Sequence, residues 1–464
     1  MKKYTLFLLA LIFTTGLVAQ EQKGSLDKET IKKLRESFPK TPENTAMVNA
    51  ITHNDIKKLA DSRENDGKIN HYFSDVVKTK AVTNQKSSGR CWLYTGLNTL
   101  RPLVQEKYNI GAFEFSQTYS FFWDQLEKAN LFMEIALSTA DLPVDDRKVA
   151  WLFKNPIGDG GQWTTFADIV KKYGLVPKEA MPDTYQSEKT SMMSRMLRRK
   201  LREDGLRLRK IAHSKIAEEK KQELKFEMLA DIYRILVLSL GEPPETFVWQ
   251  YEDKDGNISE PKTYTPKEFY DELIGIDLDE YVMFMNDPTR EYNKLYEVEF
   301  DRNLVEGANW KYINLPNDKI KEFAKRSILD NRAMYFSCDV GKQFDSKNGI
   351  LDIHNYNYND LLGVDFGMDK KERILTYESG STHGMSLTGV NILADGTTDK
   401  WLLENSWGED RGHKGFLTMT DEWFDEYMFR LIINKKYIDA DVLKILEQEP
   451  VMLPPWDPVF TPEQ

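Results

Sequence analysis

Cys91 stands in the run Gln85-Lys86-Ser87-Ser88-Gly89-Arg90-Cys91-Trp92, with a Gly and a Trp close beside it and a Gln a short way upstream. Far downstream, His383 lies in Ser381-Thr382-His383-Gly384-Met385 and Asn405 in Glu404-Asn405-Ser406-Trp407-Gly408. A thiol, an imidazole and an amide are the parts of a Cys-His-Asn acyl-transfer site. The thiolate attacks a carbonyl, the imidazole takes and returns the proton, and the amide orients the imidazole. Gln85 and the Cys91 backbone N–H would donate to the oxyanion. Singly, His383 reads as a core histidine and Asn405 as a turn residue. Together with Gln85 and Cys91 they read as one site. The chemistry requires no metal or organic cofactor, and no His/Cys/carboxylate grouping has metal-ligand spacing.

The other candidates have plainer readings. Cys338 lies in the apolar, strand-like run Ala333-Met334-Tyr335-Phe336-Ser337-Cys338 and reads as a small buried hydrophobe. His53 and His71 fall in a polar segment and His213 in a charged helix, so surface roles suffice. His354 sits in a Tyr/Asn-rich loop as a substrate-side or structural residue.

Three elements must position the reactive groups. Leu97, Leu100 and Val104 recur at helical spacing after the cysteine, which sets Cys91 at a helix start, where the dipole lowers a thiol's pKa. Ser116 is a candidate N-cap for a second helix carrying Tyr119, Trp123 and Leu126 on one face. A strand from His383, a turn at Asp395-Gly396 and a returning strand would bring Asn405 beside His383, with Trp407 shielding their hydrogen bond. Residues 187–240 predict long amphipathic helices, with Met192, Met196, Leu201, Met228, Ile232 and Leu236 on the apolar side, ended by Gly241. Asp253-Lys254-Asp255-Gly256-Asn257 predicts a hairpin turn. From Arg332 onward the pattern is of strands.

The chain has 464 residues and a formal charge of −11, enough for two or three structural units around an ample core. An acidic chain repels phosphate backbones, so no nucleic-acid partner is expected. Lys2-Lys3, the apolar run to Phe13 and the small residue Ala19 read as a cleavable export signal. No second apolar run approaches spanning length, so stable membrane insertion is not expected after its removal.

The Cys91, His383 and Asn405 blocks resemble the three signatures of papain-like cysteine peptidases, in their order. The His lies about twice as far from the Cys as the roughly 130–150 residues usual there, which points to large insertions. Asn155-Pro156-Ile157-Gly158-Asp159-Gly160-Gly161-Gln162-Trp163, Phe122-Trp123-Asp124-Gln125-Leu126-Glu127-Lys128, Cys338-Asp339-Val340-Gly341-Lys342 and the run from Leu446 to Pro458 are similar to the bleomycin hydrolase and aminopeptidase C branch. The resemblance implies an α+β, papain-like two-subdomain fold, a helical half plus a β half, with large helical and hook insertions and a C-terminal arm. It implies substrate contacts from Gly160, Gly161 and Trp163, a cleft-entering arm whose terminal carboxylate at Gln464 pairs with the substrate's free amine, and a homohexamer with active sites facing an inner channel. The organisation expected is a signal at 1–19, an N-terminal arm at 20–78, a helical subdomain with the cysteine at 79–185, a helical and hook insertion at 186–300, a β subdomain at 301–440 and the arm at 441–464. The reading is an exported, periplasmic or secreted thiol aminopeptidase acting on peptides with a free N-terminus. The rivals are an endopeptidase with an open cleft and a non-catalytic binding protein of the same fold.

Overall fold

The computed structural model describes residues 24–80 and 82–460, so the signal at 1–19 and Gln464 lie outside the described residues. The chain divides after Asp61 into two compact units. In the first, α1 (Lys28–Glu36), α2 (Pro42–His53) and α3 (Ile56–Ala60) each start on a side-chain cap, supplied by Asp27, Thr41 and Asp55. Of their residues only Ala60 is buried. Residues 62–78, expected with this arm, belong to the second unit, where β1 (Asp75–Val76) joins the main sheet.

The second unit has the expected helical and strand halves. Its helical half holds α4 (Cys91–Lys107), α5 (Gln117–Ser138), α6 (Arg147–Lys154), α7 (Trp163–Tyr173), α8 (Tyr185–Glu188), α9 (Ser191–Ala212), α10 (Glu218–Leu240) and α11 (Pro266–Leu273). Leu93, Leu97, Leu100 and Val104 of α4 pack with Phe121, Phe122 and Phe166 in one core. Ser116 caps α5, its Oγ accepting from Tyr119 N at 3.1 Å. Gly241 ends α10 at φ +86°, and β2 (Phe247–Trp249) and β3 (Lys262–Tyr264) form the expected hairpin.

The apolar stripe of α9 differs from expectation. Met193, Leu197, Leu201 and Leu208 are buried, whereas Met192 and Met196 face solvent. Two contacts set that rotation. Ser194 Oγ donates to Asp159 at 2.5 Å, and Gly205 lies so close to Phe132 that a Cβ there would come within 2.9 Å of the ring.

The run of main-sheet strands in the β half begins at Tyr281 rather than at 301. The main sheet comprises β1 with β4 (Tyr281–Met285), β5 (Lys294–Val298), β6 (Lys311–Asn314), β7 (Met334–Cys338), β8 (Phe344–Asp345), β9 (Ile350–Leu351), β10 (His383–Ile392), β11 (Thr398–Glu404), β12 (Phe416–Thr420), β13 (Met428–Asn434) and β14 (Val451–Leu453). Their order is β14-β5-β6-β4-β13-β7-β10-β11-β12-β9-β8, with β1 on β10. Both faces of β10 are covered, and His383 through Val390 are all buried. Its large residues Met385 and Leu387 join a second core with Trp401, Leu403 and Phe424. Its small residues face α4: Ser386 Oγ lies 3.0 Å from Thr99 Oγ1, and a Cβ on Gly384 would meet Thr95 Oγ1 at 3.0 Å. Small side chains on β10 thus let the cysteine helix lie directly on the histidine strand.

Candidate active site

Cys91 is the first residue of α4, and no side chain caps that helix. The positive end of the dipole therefore points at the sulfur, which favours the thiolate. The loop leading to it is pinned from inside. Arg90, fully buried, donates from Nε to Ser88 Oγ at 3.1 Å and sits over the rings of Tyr94 and Phe121. Ser88 Oγ in turn donates to the Gln85 carbonyl at 2.6 Å.

His383 opens β10, and Asn405 directly follows β11. The antiparallel register of Ser386 with Glu404 brings the two together. His383 Nε2 lies 2.8 Å from Asn405 Oδ1, which also accepts from Ser406 N at 2.8 Å. An oxygen acceptor at Nε2 fixes the tautomer with its proton there and leaves Nδ1 unprotonated. Trp407 stacks on the imidazole with centroids 4.7 Å apart. Burial pushes the His383 pKa down to about 4, opposed by the bond to Asn405, so the ring is neutral at neutral pH.

Gln85 is tied to the same turn. Its N–H donates to Ser406 O at 2.8 Å, its Oε1 accepts from Ser406 Oγ at 2.7 Å, and its Nε2 donates to Ser88 O at 2.7 Å. Ser406 couples the Gln to the Asn, a link that no spacing in the sequence announces. Gly408 makes the turn possible. It adopts φ +84°, and a Cβ there would stand 2.7 Å from Asn84 Nδ2.

Gln85, Cys91 and His383 line one cleft of about 1160 Å³, with Trp407 at its side. Gly160 and Gly161 form part of its wall. Gly161 must be glycine, because a Cβ would approach the Trp92 ring to 2.7 Å. Lys128 Nζ donates to Gly160 O at 2.6 Å and to Asp124 at 2.7 Å, and Gln125 Nε2 donates to Gly158 O at 2.9 Å. Trp92 Nε1 donates to Asp159 O at 2.7 Å. The run from Asp124 to Lys128 thus carries the cleft wall.

Trp163 corrects an expectation. It starts α7 and is 4% exposed, with its ring among Phe166, Tyr281 and Tyr335. Its place is in the core, because residue N1 of α7 turns inward under the wall that Gly160 and Gly161 form. His354 lies outside this cleft, on a separate surface cavity, 3.4 Å from Glu422. His71 stacks on His413 at 3.9 Å, and His213 caps the end of α9. Cys338 is fully buried opposite His383 in the β7–β10 register, and burial pushes its thiol pKa well up. The arm reaches the cleft: Pro455 and Phe460 line it, and Phe460 meets Trp310 edge-on at 4.9 Å. Among the described residues no group of three or more His, Cys, Asp or Glu is arranged to hold a metal.

A cysteine at a helix start, facing a histidine that opens a strand of a separate β half, is the arrangement of a papain-like cysteine peptidase. The chain belongs to the Peptidase C1-like family, whose model matches residues 25–460. Mouse bleomycin hydrolase is 41% identical over 447 residues, covering 94% of this chain and 98% of that protein. Aminopeptidase C of Lactobacillus delbrueckii subsp. lactis is 38% identical over 436 residues, covering 93% of this chain and 97% of that one. The crystal structure of PepW from Lactobacillus rhamnosis HN001 superposes with a TM-score of 0.92 at 39% identity, over 95% of this chain and all of that one. The protein is a cysteine-type aminopeptidase of the papain-like fold.

Proposed function

We propose that the enzyme is exported and releases N-terminal residues from peptides by Cys-His-Asn acyl transfer. The observation that carries the mechanism is the His383–Asn405 pair, 2.8 Å apart under Trp407, in the cleft that Cys91 and Gln85 line. Asn405 holds the imidazole so that Nδ1 accepts the Cys91 proton, and the helix start stabilises the thiolate. The thiolate adds to the scissile carbonyl. Gln85 Nε2 and the Cys91 N–H receive the oxyanion. The imidazolium then protonates the leaving amine, and water hydrolyses the acyl-enzyme by the reverse proton path.

The arm supports action from the amino end. Residues 451–462 carry four prolines, and such a segment loses little entropy when it docks. Pro455 and Phe460 line the cleft, which supports an arm set across the path of an internal substrate. Gln464 would supply a carboxylate for the substrate's α-amine. Export rests on Lys2-Lys3, the apolar run and Ala19. A six-subunit ring rests on the family resemblance. The deciding assay compares free and N-acetylated fluorogenic substrates: selective cleavage of the free form is expected, and equal cleavage of both refutes the reading.

A further inference from the structure

The backbone that leads to Cys91 is held from outside at alternate N–H groups. Gln85 N donates to Ser406 O at 2.8 Å, Ser87 N to Glu188 O at 3.0 Å and Gly89 N to Asp159 Oδ2 at 3.4 Å. The first tie goes to the turn after β11. The second goes to the end of α8, and the third to a side chain that α9 holds. Lys86, between the first two ties, adopts φ +54°, a conformation uncommon outside glycine and kept only where neighbours impose it.

Asp159 is where these parts meet. Thr190 Oγ1 donates to its Oδ2, and Ser194 Oγ donates to its Oδ1 at 2.5 Å. Thr190 stands at the N-cap of α9 yet makes no side-chain cap bond there, so its hydroxyl is committed to Asp159 instead. Ser194 follows four residues on, on the same face of the helix, and is buried. The main chain of Asp159 reaches the other side of Cys91, where its O accepts from Trp92 Nε1 at 2.7 Å. The approach is close: a Cβ on Gly89 would stand 2.9 Å from Asp159 Cβ. Next in the chain come Gly160 and Gly161 of the cleft wall. One residue therefore joins the loop before Cys91, the residue after it, the wall and α9.

From these contacts we infer that Asp159 is a positioning residue for the oxyanion site, and that α9 acts on catalysis through it. An oxyanion donor works only where it stands about 2.7–3.1 Å from the developing charge, and a shift of about 1 Å costs on the order of 100-fold in rate. The Cys91 N–H lies two residues beyond Gly89, so the acceptor at Gly89 N sets where that N–H stands against the wall. The role needs acceptors rather than charge. Oδ2 serves Gly89 and Thr190, and Oδ1 serves Ser194. An asparagine can do the same, with its oxygen toward Gly89 and Thr190 and its amide donating to Ser194 Oγ. The inference rests on the reading of Cys91 as the nucleophile and of its N–H as an oxyanion donor.

The test separates the oxyanion site from the thiol. Turnover of alanyl-aminomethylcoumarin and inhibition by alaninal both use the oxyanion donors. With alaninal the sulfur adds to the aldehyde carbon, and the oxygen takes the negative charge and then the proton that the thiol gave up. Alkylation by iodoacetamide forms an S–C bond, expels iodide and needs only the thiolate. Asp159→Ala should lower kcat about tenfold to a hundredfold, keep KM within about threefold and weaken alaninal by the same factor as kcat. Its iodoacetamide rate, and the pH profile of that rate, should stay near wild type. Asp159→Asn should recover most of the kcat. An unchanged kcat, an equal loss in the iodoacetamide rate, or an Asn variant no better than Ala overturns the inference. If Asp159→Ala does not fold, Thr190→Val and Ser194→Ala decide. Each should lower kcat and alaninal binding together and spare alkylation, and wild-type values in both variants overturn the inference. Turnover by Cys91→Ser at the wild-type rate instead fails the thiol reading on which the inference rests.

Discussion

Burial holds the His383 ring neutral, the state that the proposed mechanism needs if the ring is to accept a thiol proton. In a Cys91→Ser chain, where no thiolate pairs with the ring, His383 should titrate at about 4 by NMR; a value near the ordinary 6.5 would mean that the ring is open to water. The sign of the stability effect follows. The folded pKa is depressed, so the unfolded chain binds more protons between about pH 4 and 6.5. Stability from this group is therefore unaffected above 6.5 and falls as pH drops toward 4, by roughly 3 kcal/mol in that variant. Peptide hydrolysis by Cys91→Ser should fall by about 10³-fold or more, and retained turnover would refute the proposed nucleophile. Asn405→Ala should be milder, because it removes the acceptor 2.8 Å from His383 Nε2 and keeps both groups of the proposed proton transfer.

At the scale of elements, the cysteine helix and the asparagine strand are joined by a buried ion pair. Arg101 of α4 bonds Glu404 of β11, Asn98 Oδ1 at 3.1 Å and Thr79 Oγ1 at 3.0 Å, and both charged side chains are essentially inaccessible. Glu404 directly precedes Asn405, so this pair sets the helix carrying Cys91 against the strand end that leads into Asn405. Arg101→Met leaves Glu404 buried and unpaired and should cost about 3–5 kcal/mol in denaturant unfolding. Adding Glu404→Leu should recover most of that stability, because the desolvation penalty leaves with the charge. If the single and double variants are equally unstable, the pair is not what links the elements. Gly408→Ala should also destabilise, by about 1–3 kcal/mol, through its φ of +84° and its closeness to Asn84.

At the scale of the molecule, the two ends of the chain carry the remaining predictions. The arm is tethered before it reaches the cleft: β14 pairs in parallel with β5, Trp456 lies under Arg147, and Arg290 bridges Asp287 and Asp457. Removing residues 461–464 should leave that tether intact and admit N-blocked or internal sites; an unchanged preference would show that the arm does not set specificity. At the other end, exported protein should begin near Gln20 or Glu21, and N-terminal sequencing that finds Met1 on the bulk protein would refute export. Sedimentation of the full chain tests the six-subunit ring, for which a monomer at micromolar concentration is the contrary result.

The sequence by itself determined the family, the candidate reactive set and much of the secondary structure. Cys91 at a helix start, the Ser116 cap, the hairpin at Asp253–Asn257 and the strand pair that returns Asn405 to His383 are local: spacing, caps and turn residues specify them over short distances. Only the tertiary structure decided which faces meet. The stripe of α9 turned by one residue because Ser194 and Gly205 meet Asp159 and Phe132, partners distant in the chain. Trp163 went to the core because α7 starts beneath the glycine wall, a direction that its motif does not encode. The strands from Tyr281 were hidden because β4, β5 and β6 are short and take their meaning from neighbours across the sheet. Ser406 as the link between Gln85 and Asn405 follows from long-range contacts that one-dimensional periodicity cannot express.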